Sequence, residues 1–175
     1  IYGLPGATIT SLTDTLKQVL SYEPDHFSTY HLSIEPNTPF KRQGINTANS
    51  DLGADQYVCI QELASENGYT QYEVSNFSKP GHRCLHNMSY WEMTPFIGLG
   101  PGAHSFFKGC YYKHPKSLST YIDRPIARFF SNKIQRPLSK RQLYNDVMMM
   151  QLRLCRPFVF SDINTRFDMD FRSTF

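Results

Sequence analysis

The chain is expected to be α/β, with a parallel sheet that is open or part of a barrel, followed by a small helical appendix. Three observations predict this. Strand-like segments alternate with segments of helical periodicity between Ile1 and Val74. Capping or breaking residues bound each helical segment. Beyond Val74 the composition shifts to Gly, Pro and aromatic residues, and a long helical pattern returns only near Ser139.

Ile1-Tyr2 running into Gly3-Leu4-Pro5-Gly6 reads as the end of a strand and a loop. Leu12, Leu16, Val19 and Leu20 then share one helical face, with Thr10 or Ser11 as the cap and Pro24 beyond the end. Residues 27–34 are aromatic and branched and stop at Glu35-Pro36, so they read as a second strand that completes a βαβ unit. A second helix is expected over 51–67, with Tyr57, Ile60 and Ala64 on one face and Gly68 at its C-terminal cap. Residues 69–74 make a third strand. Loops that follow parallel strands share one rim, which places 3–6, 33–35 and 75–86 around a common space.

Short strands are expected near Phe96-Ile97 and over 105–112, and a short helix over 116–122. Ser139-Lys140-Arg141-Gln142 is a capping-box pattern, and Leu143, Val147, Met150 and Leu154 continue it as a helix of about four turns. A last short helix covers 161–167, and the Met148-Met149-Met150 run is read as core filler. This gives two domains, a barrel portion over 1–112 and a linker with a truncated helical domain over 113–175.

A net charge of +3, spread over 18 basic and 15 acidic residues without a basic block, does not imply nucleic acid or a membrane surface as a partner. No apolar run approaches the roughly 20 residues that span a bilayer. Cys59, Cys84, Cys110 and Cys155 stand far apart, which argues against a disulfide framework and favours a reducing, cytoplasmic setting. The opening at Ile1, inside a strand and without Met, reads as a start partway through a longer protein.

Ligand chemistry concentrates in residues 84–91, which hold the sole Trp, and in the glycine-rich run Gly98-Leu99-Gly100-Pro101-Gly102-Ala103-His104-Ser105. Imidazole, thiol, carboxamide, phenol and indole beside small residues suit a large flat ligand. His82, Cys84 and His86 alternate as zinc ligands would, but a fourth ligand is missing. His86 as an axial ligand to haem iron is the more attractive reading, with Tyr90 and Trp91 as pocket walls. In the plainer alternative His86 and Asn87 satisfy loop backbone groups and Trp91 fills the core, and residue types alone favour it. Pro101 and the strand-like Ser105-Phe106-Phe107 exclude a dinucleotide fingerprint at the glycines, leaving close approach to a ligand or a tight turn. Glu35 at a strand end is a candidate base, more often a local cap.

Four segments together resemble the HemW family of haem chaperones, in the radical S-adenosylmethionine superfamily. They are Ile1-Tyr2-Gly3-Leu4-Pro5-Gly6, residues 72–81, His86-Asn87-Met88-Ser89-Tyr90-Trp91 and the run from Gly98 to Ser105. The resemblance covers nearly the whole chain and includes Leu152-Arg153-Leu154; its most specific motif is HNxxYW. It implies the C-terminal half of a partial (β/α)6 barrel followed by a truncated helical domain. It also implies a [4Fe-4S] cluster and S-adenosylmethionine in the full-length protein. The cluster motif CxxxCxxC is absent here, so the four cysteines are not its ligands.

By that resemblance His86, Asn87, Tyr90 and Trp91 form the haem site, with His86 toward the iron, while Ser33 and His104 fall at positions of S-adenosylmethionine pockets. His114 lies outside the motif. The implied partners are haem and haem-requiring client proteins, with homodimerisation left open. The alternative is oxidative decarboxylation of coproporphyrinogen III in porphyrin biosynthesis, against which His86 to Trp91 argue. Arg156-Pro157 departs from the resemblance, since relatives usually carry a Gly-containing turn there.

Overall fold

A computed structural model describes residues 1–123, 138–168 and 170. The described chain forms two compact units, Ile1–Cys84 and Leu85–Phe175. Residues 124–137, 169 and 171–175 of the expected appendix lie outside the described residues.

In the first unit, helix α1 (Ile9–Leu20) is capped by Thr8, not by Thr10 or Ser11. The Thr8 side chain accepts from the Ser11 N–H and Ser11 reciprocates, so Ser11 occupies the third position of a capping box. Strand β1 (His26–Ser28) is much shorter than the expected 27–34. Past it, the residues that continue the strand keep a single parallel bridge, Tyr2 to His31, with Tyr2 N–H donating to Tyr30 O (2.9 Å) and Leu32 N–H to Tyr2 O (2.8 Å). A one-turn helix α2 (Pro39–Arg42), capped by Thr38, interrupts the polar stretch. Helix α3 (Ser50–Glu66) follows, capped by Asn49, and Gly68 after it takes φ +82°, the left-handed geometry that stops a helix.

Strands β2 (Thr70–Glu73) and β3 (Asn76–Ser78) correct the expected sheet. Residues 27–34 and 69–74 are not parallel neighbours: the sheet order is β1-β3-β2, with β3 antiparallel to both. The chain reverses at Val74-Ser75 without a Gly or Pro signal, because the buried Glu73 carboxylate accepts the Ser75 N–H (2.8 Å) and Ser75 O accepts from Thr29 N–H (2.8 Å). Residues 76–78 therefore run back from the rim instead of lining it. Gly3 and Ser33 still follow the parallel bridge at Tyr2 and His31, as a barrel-type crossover requires.

Burial of one face of α1 and one of α3 against this sheet builds the first core, from Leu16, Leu20, Ile60, Ala64, Tyr69 and Phe77. Phe27 stacks on Phe77 (centroids 5.1 Å apart, planes 5°), joining the strands across the core face. Gln56 is wholly buried yet donates order to the loop, since its Oε1 accepts the Gly3 N–H at 2.8 Å.

The second unit opens with helix α4 (Leu85–Trp91), where a loop was expected. Strands β4 (His104–Phe107) and β5 (Cys110–Lys113) form a hairpin, so the single strand expected over 105–112 is two. Lys108 and Gly109 both take positive φ, the requirement of a two-residue turn whose twist matches its strands. Phe96 adds an antiparallel bridge to Phe106. Helix α5 (Leu118–Ile122) is capped by Ser117, and α6 (Lys140–Gln151) carries the expected capping box, Ser139 with Gln142. Helix α7 (Phe160–Phe167) ends at Asp168 in the left-handed region.

Met93, Phe106, Val147 and Ile163 make the second core, joined by Met148 and Met150, so two of the three methionines pack as core filler and Met149 is exposed. Because this core unites the hairpin with the helices, the compact units divide at Cys84/Leu85, whereas the sequence suggested 112/113.

Candidate functional site

Helical geometry sorts the HNxxYW side chains into two sets. His86 and Tyr90 are one turn apart on α4 and meet, with His86 Nε2 and Tyr90 Oη at 2.8 Å and their rings edge to face at 4.8 Å. Tyr90 in turn packs edge to face on Phe96 at 4.5 Å. A cavity of about 670 Å³ opens beside them, lined by His86, Tyr90, Phe96, Ile97, Gly98, Leu99, Ala103 and His104. That volume falls within the roughly 300–1,000 Å³ of small-molecule sites.

Trp91 belongs to the other set. Its ring is covered by the Arg153 guanidinium, 4.5 Å from the centroid, and its carbonyl accepts from Gln151 Nε2 at 3.1 Å. Its indole N–H is buried with no hydrogen-bond partner among the described residues. Trp91 does not line the cavity that His86 and Tyr90 line, and Asn87 is half-buried on the helix between them. The departure at Arg156 has a local consequence: its guanidinium pairs with Glu92 at 2.9 Å, tying the end of the appendix to the residue after Trp91.

The glycine run approaches its own backbone. A Cβ on Gly98 would lie 2.1 Å from His104 O, so only glycine fits there. Gly98 N–H donates to Ser105 Oγ (2.9 Å), His114 Nε2–H donates to Gly98 O (3.1 Å), and Gly100 N–H donates to Tyr121 Oη (3.1 Å). These bonds fix the wall that carries Leu99 and His104. Leu99 (84% exposed) and Ile97 (58%) stay open to solvent beside one another on the cavity and give it an apolar edge.

Of the sequence-derived candidates, the structure thus brings together His86, Tyr90 and His104. Ser33 lies in the other unit and is exposed; its hydroxyl donates to Glu35 Oε1 at 3.3 Å, and Glu35 is locally engaged by that bond. His82 and Cys84 are separately engaged: His82 Nδ1 faces Asp25 at 3.6 Å, and Cys84 N–H donates to Tyr72 Oη at 3.3 Å. No group of three His, Cys, Asp or Glu side chains able to hold a metal occurs among the described residues, and all four cysteines are free thiols. Phe96, Ile97 and Leu99 were missed as wall residues; the signal was their apolar run around Gly98 in an otherwise turn-rich segment.

Behind the wall, the Tyr111 hydroxyl donates to Asp146, and burial with the carboxylate's charge pushes Tyr111 up to about 12. Burial also raises Asp146, which the Tyr111 bond partly offsets. In the first unit, burial lowers His26 despite the nearby Glu73 carboxylate.

No family model matches the chain. Among curated proteins it is 32% identical over 160 residues to the haem chaperone HemW of Buchnera aphidicola subsp. Acyrthosiphon pisum, covering 90% of this chain and 42% of that protein. It is 29% identical over 180 residues to HemW of Lactococcus lactis (100% and 47%), and 38% identical over 104 residues to HemW of Escherichia coli (59% and 28%). The chain thus spans less than half the length of these relatives. Among solved structures, coproporphyrinogen III oxidase HemN of Escherichia coli, described as a radical SAM enzyme, matches 98% of this chain and 43% of its own. The TM-score is 0.76 at 19% identity, which carries the expected α/β barrel-portion fold and nothing about activity.

Proposed function

We propose, from the premise that this chain belongs to the HemW family as its C-terminal portion, that it supplies the haem-binding part of a chaperone. That chaperone would pass haem to haem-requiring proteins. The single observation that carries the reading is the cavity in the second unit, where imidazoles, a phenol and exposed apolar side chains converge on a space of small-molecule size.

Haem is the cargo in this reading, and the donor set fits it. Phe96, Ile97 and Leu99 offer apolar surface to a porphyrin face, and the imidazoles offer lone pairs to iron. His86 is the family-motif ligand, its Nε2 bonded to the Tyr90 hydroxyl until iron displaces it; Trp91 packs under Arg153, away from the cavity. An open cavity suits a protein that must release what it binds, because burial that is incomplete leaves affinity low enough for transfer.

The cluster does not fit this chain, whose cysteines are dispersed and free. A [4Fe-4S] cluster and S-adenosylmethionine would be held by a protein that carries further sequence, with Ser33 contributing at the rim. A cytoplasmic setting is consistent with the free thiols, and no helix among the described residues is long and apolar enough to cross a membrane.

Transfer is the defining test. The chain loaded with one equivalent of hemin should give it up to an apo-haem protein, followed by growth of the acceptor's Soret spectrum. Transfer no faster than from hemin held by serum albumin would overturn the chaperone reading.

A further inference from the structure

We infer that His104, at the start of β4, is an iron ligand of this cavity, an inference that rests on the haem reading above. Three observations carry it. His104 lines the same cavity as His86, from the hairpin and not from the helix. His86 Nε2 is already bonded to the Tyr90 hydroxyl, whereas the His104 imidazole makes no hydrogen bond among the described residues. The exposed His104 imidazole would give up only water to coordinate iron, whereas His86 Nε2 would give up its bond to Tyr90.

The third observation is that the chain fixes the backbone of this residue. Gly98 leaves no room for a Cβ against His104 O, and the neighbouring Ser105, wholly buried, accepts the Gly98 N–H. On the other strand, His104 is paired with Lys113 in the hairpin register. A ligand held on a strand whose backbone is pinned from both sides loses little freedom on coordination.

Ferric protoporphyrin IX (hemin) and metal-free protoporphyrin IX separate iron ligation from porphyrin binding. The full chain should bind both saturably. His104→Ala should weaken hemin by about tenfold or more while leaving the metal-free porphyrin within about twofold. Added imidazole should restore the wild-type hemin spectrum to that variant. His104→Gln, which keeps a polar side chain on the strand, should behave like His104→Ala. An unchanged hemin spectrum and affinity in both variants overturns the assignment, as does an equal loss of both porphyrins. If the wild-type chain bound neither porphyrin saturably, the haem reading of the cavity would itself fail.

Discussion

His86 Nε2 and Tyr90 Oη stand 2.8 Å apart across one turn of α4, on the wall of the cavity that His104 closes from the hairpin. In the neutral ring with its proton on Nδ1, Nε2 accepts the phenol hydrogen, so the phenol and a metal would compete for one lone pair. Tyr90→Phe removes the competitor and keeps the ring against Phe96. It should raise hemin affinity while changing unfolding stability by no more than about 1 kcal/mol, since the bond is exposed. Weaker hemin binding in an intact fold would mean that the ligand needs the hydroxyl.

Gly98→Ala tests the wall. The added methyl would meet His104 O at 2.1 Å, so backbone must move, at a cost of about 1–3 kcal/mol in denaturant unfolding. Hemin binding should weaken with it. Gly98 is not among the glycines at positive φ, so that cost comes from the contact with His104 O and not from left-handed backbone geometry.

Much of the helical framework was legible because its signals are local. Ser139 with Gln142, Gly68 after α3 and the apolar spacing of Leu16, Leu20, Ile60 and Ala64 act within one or two turns. The sheet was not legible, because the reversal at Val74-Ser75 is held by Glu73 and by Thr29, a residue 46 positions away from Ser75 in sequence. The candidate segment stood out by composition, but its division into His86 with Tyr90 and Trp91 with Arg153 depends on α4 being helical. His114 shows the same limit: it lies outside the motif in sequence, yet its Nε2–H donates to the Gly98 carbonyl and so helps hold the cavity wall.

Trp91, the sole tryptophan, reports on its own environment. Arg153→Ala uncovers the ring, and should change the fluorescence of the folded protein and cost about 0.5–1 kcal/mol of stability. Hemin affinity should change little, because neither residue lines the cavity. Identical emission before and after the substitution would show that the stacking does not persist in solution.

High pH should destabilise the fold through Tyr111. Its pKa rises from 10.0 to about 12 on folding, through burial and the Asp146 carboxylate, so the folded state favours the protonated phenol. That contribution is present in full below the unfolded value and is lost as pH climbs from about 10 through about 12. Tyr111→Phe should flatten the fall in unfolding stability over that window. Parallel slopes for the two proteins would show that Tyr111 is not the group responsible.

The central claim is that the cavity bearing His86 binds haem, and a hemin titration followed at the Soret band tests it most directly. The wild-type chain should saturate at one equivalent with an imidazole-ligated spectrum. His86→Ala should shift that spectrum and weaken binding, while His82→Ala, whose imidazole faces Asp25 in the other unit, should change neither. Titrations of the wild type and His86→Ala that superimpose, or binding that never saturates in either, would contradict the account.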